Sequence, residues 1–179
     1  MKFITLLLLL PMCAFSSNYL PLSIEQNNNQ FERCKDFTLR YGYLIKVAEI
    51  GWYAPDCEKT APILQADNKV IRFHYLKNVS ADFFKKSAEE YFLLNLKSPE
   101  HLNLLKPLLL EFNANYTDIK AGEYFDLVQI NDSTLSLFKN KELLAVSTNK
   151  LFSNHYFNIW FGTKPVVDKL KAAFDLDIE

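Results

Sequence analysis

The sequence predicts an α+β domain built on a large, mainly antiparallel sheet covered by a layer of helices. Three observations carry that expectation. Apolar residues alternate with a period of two in several short stretches between Phe37 and Ser147. Two of the links between such stretches, Asn131-Asp132-Ser133 and Asn140-Lys141, are rich in hairpin-turn residues. Segments with helical spacing lie between and after the strands, and this order of strands, helices, strands, helices describes α+β.

The chain opens with Lys2 and an apolar run from Phe3 to Leu10, which Pro11 breaks before the small residues Ala14, Ser16 and Ser17. Charge, short apolar core and small-residue exit form the layout of a secretory signal. The core is about half the ~20 apolar residues that a spanning helix needs. Residues 1–17 are therefore expected to be a removed signal peptide, and the protein to be periplasmic or secreted with no membrane span in its mature form. Acylation at Cys13 is the alternative, but Leu10-Pro11-Met12 lacks the small residues that usually precede such a cysteine.

Residues 18–36 read as a lead-in to a domain at 37–179, with Ser23 to Gln30 polar and loop-like. From Phe37 to Tyr53 the alternation of Leu39, Tyr41, Tyr43 and Ile45 predicts one long strand, bent at Gly51 and ended by Pro55-Asp56. Pro62 to Gln65 suits a short turn. Val70 to Leu76 predicts a second strand, with Ile71, Phe73 and Tyr75 on one face and Val70, Arg72, His74 and Leu76 on the other. Ser80 is placed to cap a helix with Asp82 in its first turn, and Phe84, Ala88 and Tyr91 share one face of it. Ser98-Pro99-Glu100 is a second start signal. Pro107 then leaves two short helices or one bent helix through about Phe112. Gly122 leads into strands at Glu123 to Ile130, Thr134 to Lys139 and Glu142 to Ser147. Leu151, Phe152, His155, Tyr156, Ile159 and Trp160 form one helical stripe ended by Gly162, and Thr163-Lys164-Pro165 opens a last helix.

Composition narrows the function. The chain is 49% hydrophobic and 23% charged, an ordinary globular balance. A formal net charge of -1 lacks the basic excess of a nucleic-acid-binding surface. Removal of the signal leaves two cysteines, Cys34 and Cys57. They either bridge, closing a loop whose entropy is worth about 3 kcal/mol, or stay as buried thiols. His74, His101 and His155 are isolated, with no zinc-ligand spacing, so no metal is expected. No P-loop, nucleophile elbow or dinucleotide glycine pattern is present, and no cofactor is expected.

The tail Phe157-Asn158-Ile159-Trp160-Phe161-Gly162-Thr163-Lys164-Pro165 resembles the F-x-I-W-L-G-x-x-P ending of bacterial chalcone-isomerase-like proteins. Arg40 with Lys46-Val47, Gly51 and Tyr53 resembles a strand of that family. Asn115-Tyr116-Thr117-Asp118 with Gly122-Glu123-Tyr124 resembles its link into the strand meander, and Asn140-Lys141 sits at its Asn-Gly hairpin. The similarity spans about Phe37 to Phe174. It implies an open-faced sandwich, a large antiparallel sheet under helices with a cleft between them.

In plant chalcone isomerases that cleft uses an arginine, a strand threonine, and a tyrosine and an asparagine of the first long helix. By this resemblance Arg40 matches the arginine, whereas the threonine falls at Ala48, the tyrosine near Phe83 and the asparagine near Glu90. Chalcone cyclisation needs polar groups to hold a phenolate and orient a water, so catalytic residues are not assigned. Other members of the fold bind fatty acids, with an arginine meeting the carboxylate. The resemblance thus marks Arg40, Phe83, Glu90 and Tyr91 as candidate ligand-binding residues for a fatty acid or another small apolar, anionic molecule. Three functions stay open: such a binder, an isomerase or lyase acting on another substrate, and a structural or partner-binding protein of the cell envelope.

Overall fold

The computed structural model describes residues 19–174; the expected signal peptide and Cys13 lie outside them. Seven strands form one sheet in chain order: β1 (Ser23–Gln26), β2 (Asn29–Tyr41), β3 (Ile45–Ala54), β4 (Lys69–Tyr75), β5 (Tyr124–Ile130), β6 (Thr134–Lys139) and β7 (Glu142–Ser147). Every neighbouring pair is antiparallel. The β4–β5 link is expanded into helices α1 (Ala81–Leu94) and α2 (Pro99–Asn113). After β7 the chain returns over the same face as α3 (Lys150–Tyr156), α4 (Asn158–Phe161) and α5 (Asp168–Phe174). This is the α+β sheet-under-helices architecture that the strand and helix patterns predict.

Local turn chemistry explains the meander. A two-residue hairpin turn of type I′ needs positive φ at both central residues, which asparagine tolerates better than most. Asn140 and Lys141 adopt φ of 48° and 75°, and Asn131 and Asp132 adopt 51° and 54° in a longer loop. Asn27 and Asn28 do the same, at 49° and 61°. Ser23 to Gln30, expected to be a loop, is therefore the β1–β2 hairpin. Its polar composition misleads because a strand need bury only alternate residues: Ile24 and Gln26 point inward while Ser23 and Glu25 face solvent.

The single long strand expected over Phe37 to Tyr53 is instead two. Strand β2 ends at Tyr41, Gly42 turns with φ +60°, and β3 starts at Ile45. A residue with a side chain would be strained at that φ. Period-two alternation runs unbroken through the turn because Tyr41, Tyr43 and Ile45 are apolar yet exposed, so periodicity hides the reversal. Gly51, the expected bend, lies inside β3.

Helix starts follow their caps. The Ser80 side chain accepts from the Phe83 N–H and that of Ser98 from the His101 N–H. Pro107 sits within one continuous α2. It and Asn103, whose carbonyl loses its partner, are both exposed, so water can satisfy that carbonyl. The expected stripe from Leu151 to Trp160 is two helices, α3 and α4, separated at Phe157. The last helix begins at Asp168 rather than directly after Thr163-Lys164-Pro165. Buried Asn95 holds that segment: its Nδ2 donates to the carbonyls of Tyr91, Asn158 and Lys164, and its Oδ1 accepts from Lys164 N and Thr163 Oγ1. Gly162 is needed beside it, since an added Cβ would lie 2.6 Å from the Asn158 carbonyl oxygen.

The core has two compartments. Between sheet and helices, Ile50, Trp52, Phe73, Phe92, Phe125, Phe152 and Tyr156 pack in one large aromatic-rich cluster. On the opposite face Ile24, Phe31, Tyr53, Val70 and Val128 make a smaller one. Cys34 of β2 and Cys57, just past β3, are joined by a disulfide with Cα atoms 5.2 Å apart.

Candidate functional site

Strands β2, β3 and β4 and helices α1, α4 and α5 do not close completely over one another. A cavity of about 260 Å³ is left between them. Its floor comes from alternate sheet residues, Leu39, Ala48, Ile50, Phe73 and Tyr75. The period of two puts these side chains on the helix side of the sheet. Helix α1 contributes Phe83, Phe84, Ser87 and Ala88, spaced three and four apart on one helical face. Ile159, Trp160, Val166, Val167 and Leu170 close the far wall.

Burial shows where the cavity opens. Ala48, Ile50, Phe73, Ala88, Ile159 and Leu170 are buried, whereas Arg40, Tyr41 and Phe83 are exposed and mark the mouth. Arg40 is the only cation of the lining, and among the described residues it has no ion-pair partner. Among the described residues, no Asp, Glu, His, Cys or Lys lines the cavity.

Besides the Ser87 hydroxyl, the Trp160 indole N–H and the Tyr41 phenol at the mouth, two further phenols line the cavity. Tyr75 is the direct cross-strand partner of Ala48, so a phenol stands beside the position where the resemblance expects a threonine hydroxyl. Tyr116, entering from beyond α2, is the second; its hydroxyl lies 3.1 Å from that of Tyr156, which donates to Asn113 Oδ1 at 2.8 Å. Burial pushes the Tyr116 phenol up to about 12 and raises Tyr75 as well. Both stay neutral hydrogen-bonding groups at ordinary pH, and neither is a base.

The geometry sorts the sequence-derived candidates. Arg40 and Phe83 stand together at the mouth, and Ala48 is in the wall. Glu90 is exposed and Tyr91 packs half-buried against the helix-side core; neither lines the cavity. Each lies seven residues beyond a lining residue, Phe83 and Phe84, and so on the same helical face but about 10 Å further along the axis. They share the face of the lining residues and differ from them in level. Tyr75 and Tyr116 were not singled out as candidates. The alternation placing Tyr75 beside Phe73 is the signal for the first, and the Asn115-Tyr116-Thr117-Asp118 motif of the resemblance is the signal for the second.

Comparison with known proteins accords with this geometry. A family model described as chalcone isomerase-like matches residues 20–174. The chain belongs to the chalcone isomerase-like family. The match begins before β1, so the strands of the supposed lead-in lie within the chalcone isomerase-like region. A search of curated protein sequences finds no match. Among solved structures, the chain is similar to the crystal structure of an Arabidopsis thaliana fatty-acid binding protein. The TM-score is 0.58 at 16% identity, covering 86% of this chain and 89% of that one. At that identity the likeness is one of fold.

Proposed function

We propose that this chalcone isomerase-like protein is an exported, non-catalytic binder of a fatty acid or a closely similar single-chain amphiphile. The observation that carries the reading is an apolar cavity whose open end holds one cation, Arg40, without a partner among the described residues. A hydrocarbon chain would fill the interior, and the guanidinium fork suits a carboxylate at the mouth. Among the described residues the lining holds no acid, imidazole, thiol or amine, and so no group that takes a proton near neutral pH. At about 260 Å³ the space falls just under the roughly 300–1,000 Å³ of drug-sized pockets, which favours one slender chain over a fused ring system. That the structurally similar plant protein is a fatty-acid binding protein supports the same choice. The apolar run of residues 3–10 supports export.

Calorimetric titration of delipidated protein with saturated fatty acids of increasing length tests this. Affinity should rise about fourfold per added methylene and level off once the cavity is full. Arg40→Ala should weaken binding about tenfold with little change in stability, because the side chain is exposed. No measurable affinity for any chain length, or an affinity insensitive to Arg40, overturns the reading.

A further inference from the structure

The β2–β3 hairpin overhangs the sheet. Strand β4 pairs with β3 only from Ala48↔Tyr75 onward, while Arg40↔Lys46 and Tyr41↔Ile45 pair with nothing but each other. A register shift between Leu39 and Arg40 opens this overhang by leaving Val47 as the extra residue, and such bulges re-aim the chain that follows. The projecting tip is apolar. Tyr41, Tyr43 and Leu44 are 76%, 91% and 89% exposed, and across the mouth Phe83 is 60% exposed. Isolated exposed apolar residues are unremarkable, but three within four positions of one hairpin tip, the first of them lining the cavity with Phe83, are not.

We infer that this tip docks on the surface of an anionic lipid bilayer, with the cavity mouth facing the lipids so that an acyl chain passes between membrane and protein without crossing water. Tyrosine and leucine on a narrow projection match the headgroup–acyl boundary, where an aromatic ring keeps its hydroxyl wet and its face apolar. The charges are complementary to anionic headgroups. Arg40 and Lys46 are direct cross-strand partners, a like-charge pair that is unfavourable until an anion lies against it. Lys77 follows the end of β4, where the Leu76 N–H donates to the Val47 carbonyl, and Lys86 lies one turn from Phe83. The acids on this side include Glu49, 3.6 Å from Lys46 Nζ, Asp82 in the first turn of α1, and Asp118, whose Oδ1 accepts from the Ala81 N–H at the start of α1. Arg40 and Tyr41 belong both to the tip and to the cavity lining, so whatever covers the tip also covers the entrance; a bilayer, unlike a protein partner, would also supply the acyl chain there.

The inference rests on the fatty-acid reading, and two measurements separate them. The first is co-flotation of the full chain with phosphatidylcholine vesicles, with and without about one third phosphatidylglycerol. The second is fatty-acid titration in vesicle-free solution. The variant is Tyr43→Ser/Leu44→Ser, whose positions are exposed and outside the cavity lining. Wild type should partition onto the anionic vesicles and lose most of that binding at high salt. The variant should partition about tenfold less or weaker still while keeping wild-type fatty-acid affinity. Both chains carry the leucine-rich residues 6–10, so the difference between them reports the tip. Equal partitioning of variant and wild type, or wild type that ignores anionic vesicles, overturns the docking and leaves the tip to a protein partner. Loss of fatty-acid affinity in both chains instead overturns the ligand reading while the vesicle result stands.

Discussion

The two faces of strand β4 bury their polar groups in opposite ways. Toward the N-terminal hairpin, Val70, Arg72 and His74 meet a filled surface in which Arg72 is paired, while the buried His74 Nε2 has no hydrogen-bond partner among the described residues. Arg72 forms a two-pronged ion pair with Asp126, Nε to Oδ1 at 2.8 Å and Nη2 to Oδ2 at 2.7 Å, and its guanidinium lies 4.1 Å from the Tyr124 ring centroid. Gln26 Nε2 donates to the same carboxylate at 2.8 Å, and Tyr19 stacks on His74 at 4.5 Å. Toward the helices, Lys69, Ile71, Phe73 and Tyr75 meet aromatic rings and, at the Tyr75 end, open space. Lys69 there is nearly fully buried with only the Ala66 carbonyl, 2.8 Å from Nζ, and the Phe157 ring beside it. A buried charge is tolerable when paired and hydrogen-bonded and costly when it is not. One face is thus organised as a closed, specific joint. The other trades packing and pairing for a space that a ligand can occupy.

Breaking the paired face should have the largest effect. Asp126→Ala strands the Arg72 guanidinium in the interior, and chemical denaturation should show a loss of about 3–5 kcal/mol. The double change Arg72→Met/Asp126→Leu should recover most of it; a double variant as unstable as the single one would mean that the joint depends on its charges rather than its shape. Lys69 sharpens the contrast. Burial lowers its amine to about 7, against the opposing attraction of Asp67. Its folded value then lies below the unfolded one, so the unfolded chain binds the extra proton and stability rises with pH above the folded value. Between about pH 7 and pH 9 the gain should be about 2 kcal/mol, and Lys69→Met should remove that rise. The smallest energetic effect is expected in the cavity wall. Ala88→Leu adds volume where space exists, so stability should hold or rise by about 1 kcal/mol while fatty-acid affinity falls about tenfold or more. A marked loss of stability would show that the wall is already packed.

Much of this was legible in local chemistry. Ser80 and Ser98-Pro99 announce α1 and α2, Asn140-Lys141 announces a hairpin, and alternation sorts Ile71, Phe73 and Tyr75 onto one face of β4 without saying which side the helices cover. Arg40 and Phe83, reached through the family resemblance, do share the cavity mouth. Glu90 and Tyr91, marked in the same way, fall outside the lining, because matching positions along a helix does not give the depth at which a cavity ends.

By itself the amino-acid order determined the elements that one or two turns of chain can specify. Caps, prolines and positive-φ asparagines act within a few residues, so their signals are local. Tertiary structure alone decided that the hairpin turned by Asn27-Asn28 would sit at the sheet edge and deliver Gln26 to Asp126, 100 positions away. It alone decided that Asn95 would hold the segment at Thr163, and that Tyr75 and Tyr116 would turn their phenols into one cavity. Those outcomes depend on which surfaces meet, and residues far apart in the chain carry no short-range record of the partner that folding gives them.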